Sequence, residues 1–112
     1  MGHDIYAVNK AKEAVAYIRF SMGNYTSYDF YRFFKAMDYH GGVSGIGASA
    51  NYTVSQIEQA YQSFIEQYGD KMRQEKDKAV TFEIYERNEM KKFIQTCLTT
   101  AKQEGTVKIN YC

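Results

Sequence analysis

Residues 4–20 read DIYAVNKAKEAVAYIRF. Two runs rich in β-branched and aromatic residues, Asp4 to Asn9 and Ala14 to Phe20, flank the polar stretch Lys10 to Glu13. This is the pattern of a β-hairpin with a polar tip, because branched and aromatic side chains suit a pleated, half-buried surface. Lys12 to Ile18 is also compatible with a helix. At the far end of the chain Thr106 to Tyr111 alternates, with Val107, Ile109 and Tyr111 on one face. That period predicts a last strand, pairing with the hairpin.

The middle of the chain supplies the cover for such a sheet. Asn24-Tyr25-Thr26 and Asn51-Tyr52-Thr53 each precede an apolar run at helical period. Each threonine suits an N-cap, its hydroxyl accepting from an otherwise orphan backbone N–H. Gln56 completes a capping box with Thr53, and Asp29 makes a weaker one with Thr26. Tyr25 and Tyr52 stand where a hydrophobic staple would meet Phe30 and Ile57. The triplets also match the N-glycosylation pattern, but capping explains them without a secretory route.

A first helix is expected over about 27–39, with Phe30, Phe33, Phe34 and Met37 in one stripe and Gly41 and Gly42 ending it. A second is expected over about 54–68, with Ile57, Tyr61, Phe64, Ile65 and Tyr68 inward and Gly69 closing it. The ten residues Gly41 to Ala50 between them read as a flexible loop. Residues 79–85 alternate like a strand, although the flanking charges equally allow a helix. From about Asn88 the helical period returns through Met90, Phe93, Ile94, Cys97, Leu98 and Ala101, and Gly105 stops it. The expected fold is α+β: a short antiparallel sheet, made of the N-terminal hairpin and the C-terminal strand, packed against three helices in one domain over 1–112.

The composition sets limits on function. The chain has 112 residues, 14 basic and 13 acidic, for a net charge of +1. That balance argues against a nucleic-acid partner or an acidic lipid surface. No apolar run is long enough to span a membrane. Met1 to Lys10 lacks the apolar region of a secretory signal, so the expected compartment is the cytoplasm, with both cysteines as free thiols. There are 11 Tyr and 7 Phe but neither Trp nor Pro. Tyrosine serves core and water alike, so its placement carries the most information.

Helical spacing puts Tyr28, Tyr31, Lys35 and Tyr39 on the side of the first helix opposite its Phe/Met stripe, with His40 beyond. Tyrosines around a lysine make a contact surface of large area and low entropic cost. The competing reading is a helix sandwiched in the core with its hydroxyls at the rim. The loop holds Gly42, Gly45 and Gly47, but it follows a helix and lacks both the Gly-Lys-Ser/Thr and the full G-x-G-x-x-G pattern, so it is a weak phosphate signal. His3, His40, Cys97 and Cys112 show no metal-ligand spacing, and neither metal nor cofactor is expected. No carboxylate pair demands acid–base work, so an enzyme is the lesser expectation, with His40 as its most economical base. A groove of basic residues and tyrosines for single strands stays a minor reading on the charge balance.

The function expected is a small non-catalytic protein-interaction module (adaptor, regulator or inhibitor) whose partner is another protein or a second copy of the chain. It would use the tyrosine face and the adjacent loop. The alternative is a small-ligand or nucleotide-binding domain with the 41–50 loop as its lid.

Overall fold

A computed structural model of the chain describes residues 2–74 and 81–112. The hairpin forms as the sequence suggests. Strand β1, Gly2–Val8, pairs antiparallel with β2, Ala14–Ser21, from Gly2↔Ser21 to Val8↔Ala14, with an irregularity at Ala7/Val8. The last strand pairs with the other edge of β1, Tyr111 lying opposite Ile5 and Lys108 opposite Val8. In order along the chain there follow helix α1, Thr26–Phe33; a 3-10 turn, Met37–Tyr39; strand β3, Ala48–Thr53; helices α2, Val54–Gln74, and α3, Phe82–Glu104; and β4, Thr106–Tyr111. The result is an α+β fold with a four-stranded antiparallel sheet in the order β2-β1-β4-β3.

Period-2 alternation divides the sheet into two unlike faces. His3, Ile5, Ala7, Ile18, Phe20, Tyr52, Val107, Ile109 and Tyr111 are buried toward the helices. All of these but His3 join Phe30, Phe34, Ile57, Phe64, Phe93, Ile94 and Cys97 in one core cluster. The opposite face carries Asp4, Tyr6, Tyr17, Arg19, Lys108 and Asn51, none of them buried. Rings lock the core edge to face: Phe30 on Phe93 at 5.3 Å and Phe33 on Phe64 at 6.0 Å. Truncating any one of these phenylalanines to alanine removes about 3–5 kcal/mol.

The structure corrects several boundaries. The first helix ends at Phe33, not near Tyr39. Lys35 takes a left-handed φ of 54°, the Lys35 N–H bonds to the Arg32 carbonyl and the Ala36 N–H to the Tyr31 carbonyl. These paired bonds are a Schellman stop with a lysine where glycine is usual, which hides it in the sequence. Its N-terminus differs too. Asn24 Oδ1 takes the Thr26 N–H, no side chain caps from Tyr25, and Tyr25 is exposed rather than stapled to Phe30.

The second helix starts as expected, Thr53 and Gln56 exchanging capping bonds while Tyr52 and Ile57 are both buried. It runs through Gly69 to Gln74. A glycine stops a helix by turning left-handed, and Gly69, unlike Gly42 or Gly105, has no positive φ. Strand β3 takes the last part of the supposed loop. Its Ala-Ser-Ala-Asn-Tyr-Thr sequence has a single large inward residue and so no visible alternation. Of residues 79–85, Phe82 to Tyr85 are helical, with the Thr81 hydroxyl capping Ile84 N–H; residues 79 and 80 lie outside the described ones. Gly105, at φ 89°, stops α3 as its position implied.

Candidate functional site

At the end of the sheet where β1 begins and β4 finishes, two imidazoles face each other with ring centres 4.3 Å apart. His3 points inward from β1 and is buried; His40 follows the 3-10 turn and is half-buried. Gly42 joins them. Its N–H lies 3.0 Å from His40 Nδ1, and its carbonyl oxygen lies 3.0 Å from His3 Nε2. A backbone N–H only donates and a carbonyl only accepts, so the role of one ring nitrogen in each imidazole follows. His40 is unprotonated at Nδ1 and donates from Nε2 to Ser27 Oγ at 3.1 Å. His3 donates from Nε2, and its Nδ1 shares a hydrogen bond with the Tyr31 hydroxyl at 3.0 Å.

The contact between Ser27 and His40 has the composition of a nucleophile and its base but not the chemistry. The His40 nitrogen facing Ser27 already carries the proton, so it cannot remove another. Ser27 is also buried. Burial, and then the neighbouring His3, hold the His40 pKa below the ordinary imidazole value. Cys97, a nucleophile by residue type, lies inside the core, and burial pushes its thiol up to about 12, away from the reactive thiolate. Among the described residues no three His, Cys, Asp or Glu side chains converge on a metal position. Nor is any helix among them long and apolar enough to cross a membrane.

The loop after His40 is pinned rather than lid-like. Gly45 N–H bonds to the Cys112 carbonyl, Gly47 N–H to the Tyr111 carbonyl, Ile46 N–H to the Tyr39 carbonyl and Gly41 N–H to the Ser44 carbonyl. At Gly45 the chain presses so close to β4 that an added Cβ would stand 2.6 Å from the Tyr111 backbone. Gly42 needs glycine for another reason, its φ of 90°, which carries its peptide groups to the two imidazoles. The glycines thus serve close contact and turning, and backbone bonds clasp residues 41–47 onto the sheet's end.

The expected tyrosine face is divided by the early end of α1. Tyr31 is 0% exposed, its ring against Tyr111 at 5.1 Å. For this residue the sandwiched reading holds. Tyr39 lies off the helix, partly buried on Tyr111, and with Lys35 it borders a separate recess of about 270 Å³ beside Tyr52 and Gln56. Tyr28 and His40 do come together, stacked at 4.0 Å and 16°. Tyr25 continues the stack beyond Tyr28 at 6.0 Å.

Beyond Tyr28, three exposed side chains, Tyr25, Val43 and Ile46, were not singled out as contacts by the sequence. Tyr25 is 78% exposed, Ile46 60% and Val43 43%, and Tyr28 is 37% exposed. Ile46 lies over Gly41, and Val43 follows the glycine that holds both imidazoles. Large apolar side chains exposed on a pinned turn form a contact surface whose shape is set in advance. The signal available in the sequence was weak: Val43 and Ile46 are lone apolar residues among glycines and serines.

A second aromatic feature lies between β2 and the start of α3. Tyr17, Phe82 and Tyr85 border a recess of about 180 Å³ with Glu86 and Glu89, into which Arg19 also reaches. Arg19 is paired with Asp4 at 2.8 Å, and Glu86 accepts from Asn24 Nδ2 at 2.6 Å. The recess therefore already contains the cation its aromatic and acidic walls suit. Comparison of the chain with protein-family models, with curated proteins and with solved structures finds no match in any of the three.

Proposed function

We propose that the protein is a non-catalytic interaction module that binds another protein through the corner formed by Tyr25, Tyr28, His40, Val43 and Ile46. The observation that carries this reading is the exposure of Tyr25 and Tyr28 on the His40 stack and of Val43 and Ile46 on a loop held by backbone bonds to β4. Interface energy concentrates in a few rigid aromatic anchors, and anchors ordered beforehand lose little entropy on binding. No charged residue belongs to this set, so the fitting partner is an apolar surface patch rather than an acidic or basic one. His40 contributes a stacking face and keeps its polar atoms occupied within the fold. An acid–base role for it has no support from its tautomer.

The test begins by capturing partners on immobilised protein and measuring the affinity of the retained one by titration. The double variant Tyr25→Ser with Ile46→Ser is expected to bind at least about tenfold more weakly, the scale of one good anchor. Its thermal midpoint should stay near that of the parent, since both side chains face solvent. The same partner bound with undiminished affinity would overturn the reading. Light scattering of the free protein then tells self-association from a different partner, because a dimer through this corner would dissociate in the same variant.

A further inference from the structure

A net charge of +1 conceals how the charges are distributed. The helix-free face of the sheet ends, at the hairpin tip, in a recess of about 450 Å³ lined by Lys10, Lys12, Lys108, Asn9, Asn51 and Thr106. No acid lines it. None of the three lysines forms an ion pair among the described residues. Two carboxylates stand close by, Glu13 accepting from Asn9 Nδ2 and Glu104 from the Lys10 N–H. Three lysines without an ion pair around one recess, with Val8 also in its wall, suit a phosphate-bearing ligand.

The register extends this recess into a longer track. Tyr17 lies opposite Tyr6, Tyr6 opposite Asn110 and Asn110 opposite Ser49, one row across all four strands. In the next row Val8 lies opposite Lys108 and Lys108 opposite Asn51. Rows on one face are separated by about 7 Å along the strand. The Tyr17 hydroxyl bonds to Asp4 on the neighbouring strand, and the Tyr6 hydroxyl is met by Cys112 Sγ at 3.6 Å. Each hydroxyl is thereby engaged by a neighbouring side chain. Tyr17 is 56% exposed. Aromatic platforms beside a cationic groove, with amides and hydroxyls between, are what unpaired bases and a phosphate backbone require.

We propose that this open face binds single-stranded nucleic acid, with bases stacking on Tyr6 and Tyr17 and about three phosphates held by Lys10, Lys12 and Lys108. This surface is separate from the aromatic corner, since the lysines sit at the opposite end of the sheet from Gly42 and Cys112. With only three unpaired cations the binding is weak and strongly salt-dependent.

The test is fluorescence anisotropy of a labelled oligothymidylate and oligouridylate of about ten nucleotides, titrated with the whole protein. Three contacts give a logarithmic salt slope of about −2, so affinity should fall about 16-fold between about 50 and 200 mM salt. Tyr17→Ser should weaken binding about tenfold, and Lys12→Glu with Lys108→Glu should abolish it. Tyr25→Ser with Ile46→Ser should leave it unchanged, so this proposal and the corner's function fail separately. Absence of any anisotropy change at low salt with protein near about 0.1–1 mM overturns the proposal. It is equally overturned if polyphosphate displaces the strand while Tyr17→Ser has no effect, the outcome expected of a plain anion site. Equal affinity for a duplex of the same length also overturns it, since a duplex offers no free base to stack.

Discussion

Gly42 holds His40 by its N–H and His3 by its carbonyl, so two side chains are oriented by one peptide unit. Adding a proton to His40 Nδ1 turns an acceptor into a donor facing that N–H, beside His3 and the rings of Tyr28 and Tyr31. The folded pKa of His40 lies below its ordinary 6.5, so the unfolded chain takes up the proton first. The stability contributed by neutral His40 is thus complete above about pH 6.5 and is lost as pH falls through that value toward the folded pKa. Melting curves between pH 7.5 and 5 should show this loss, and His40→Asn should flatten that part of the profile. Tyr31→Phe tests the inner half of the network. It leaves His3 Nδ1 buried without its hydrogen-bond partner and should cost about 1–2 kcal/mol in denaturant unfolding. Lys35 offers the reverse case, an L-residue held at φ 54°. Lys35→Gly should stabilise the protein by about 0.5–1 kcal/mol, and a loss instead would mean that the lysine side chain offsets its backbone strain.

Among the elements, the helical glycine at position 69 is the most direct place to test why a boundary was misread. Alanine there gains helix propensity worth about 1 kcal/mol, reduced by its contact with Ile65 Cγ2 at 3.3 Å. A higher unfolding midpoint for Gly69→Ala is therefore expected, and a lower one would show that Ile65 cannot yield. The hairpin, the capping box at Thr53 and the stop at Gly105 were legible because each rests on local chemistry. Strand β3 was not legible, since Ala48, Ser49 and Ala50 have little β propensity and owe their conformation to pairing with β4. The end of α1 was hidden by Lys35 in a glycine position, and that single turn moved Tyr39 off the helix. The contact site was only half legible for the same reason. Tyr28 and His40 could be named from spacing, whereas Tyr31 was claimed by the core, and the exposure of Tyr25 and Ile46 depends on how the loop is pinned.

At the scale of the molecule, helices cover one sheet face, and two kinds of surface are left at opposite ends: an uncharged aromatic corner and a lysine-lined recess. Net composition averages over both, which is why a near-neutral chain still carries a local cationic patch. The account rests centrally on the corner being built before any partner arrives, because preorganisation is what makes a few exposed side chains sufficient for binding. Amide hydrogen exchange in the free protein at neutral pH tests this most directly. The account predicts that the Gly41, Gly42, Gly45, Ile46 and Gly47 amides, each bonded within the fold, exchange far more slowly than an open chain. Exchange of all five at open-chain rates would contradict it, leaving a loop that must be ordered by its partner.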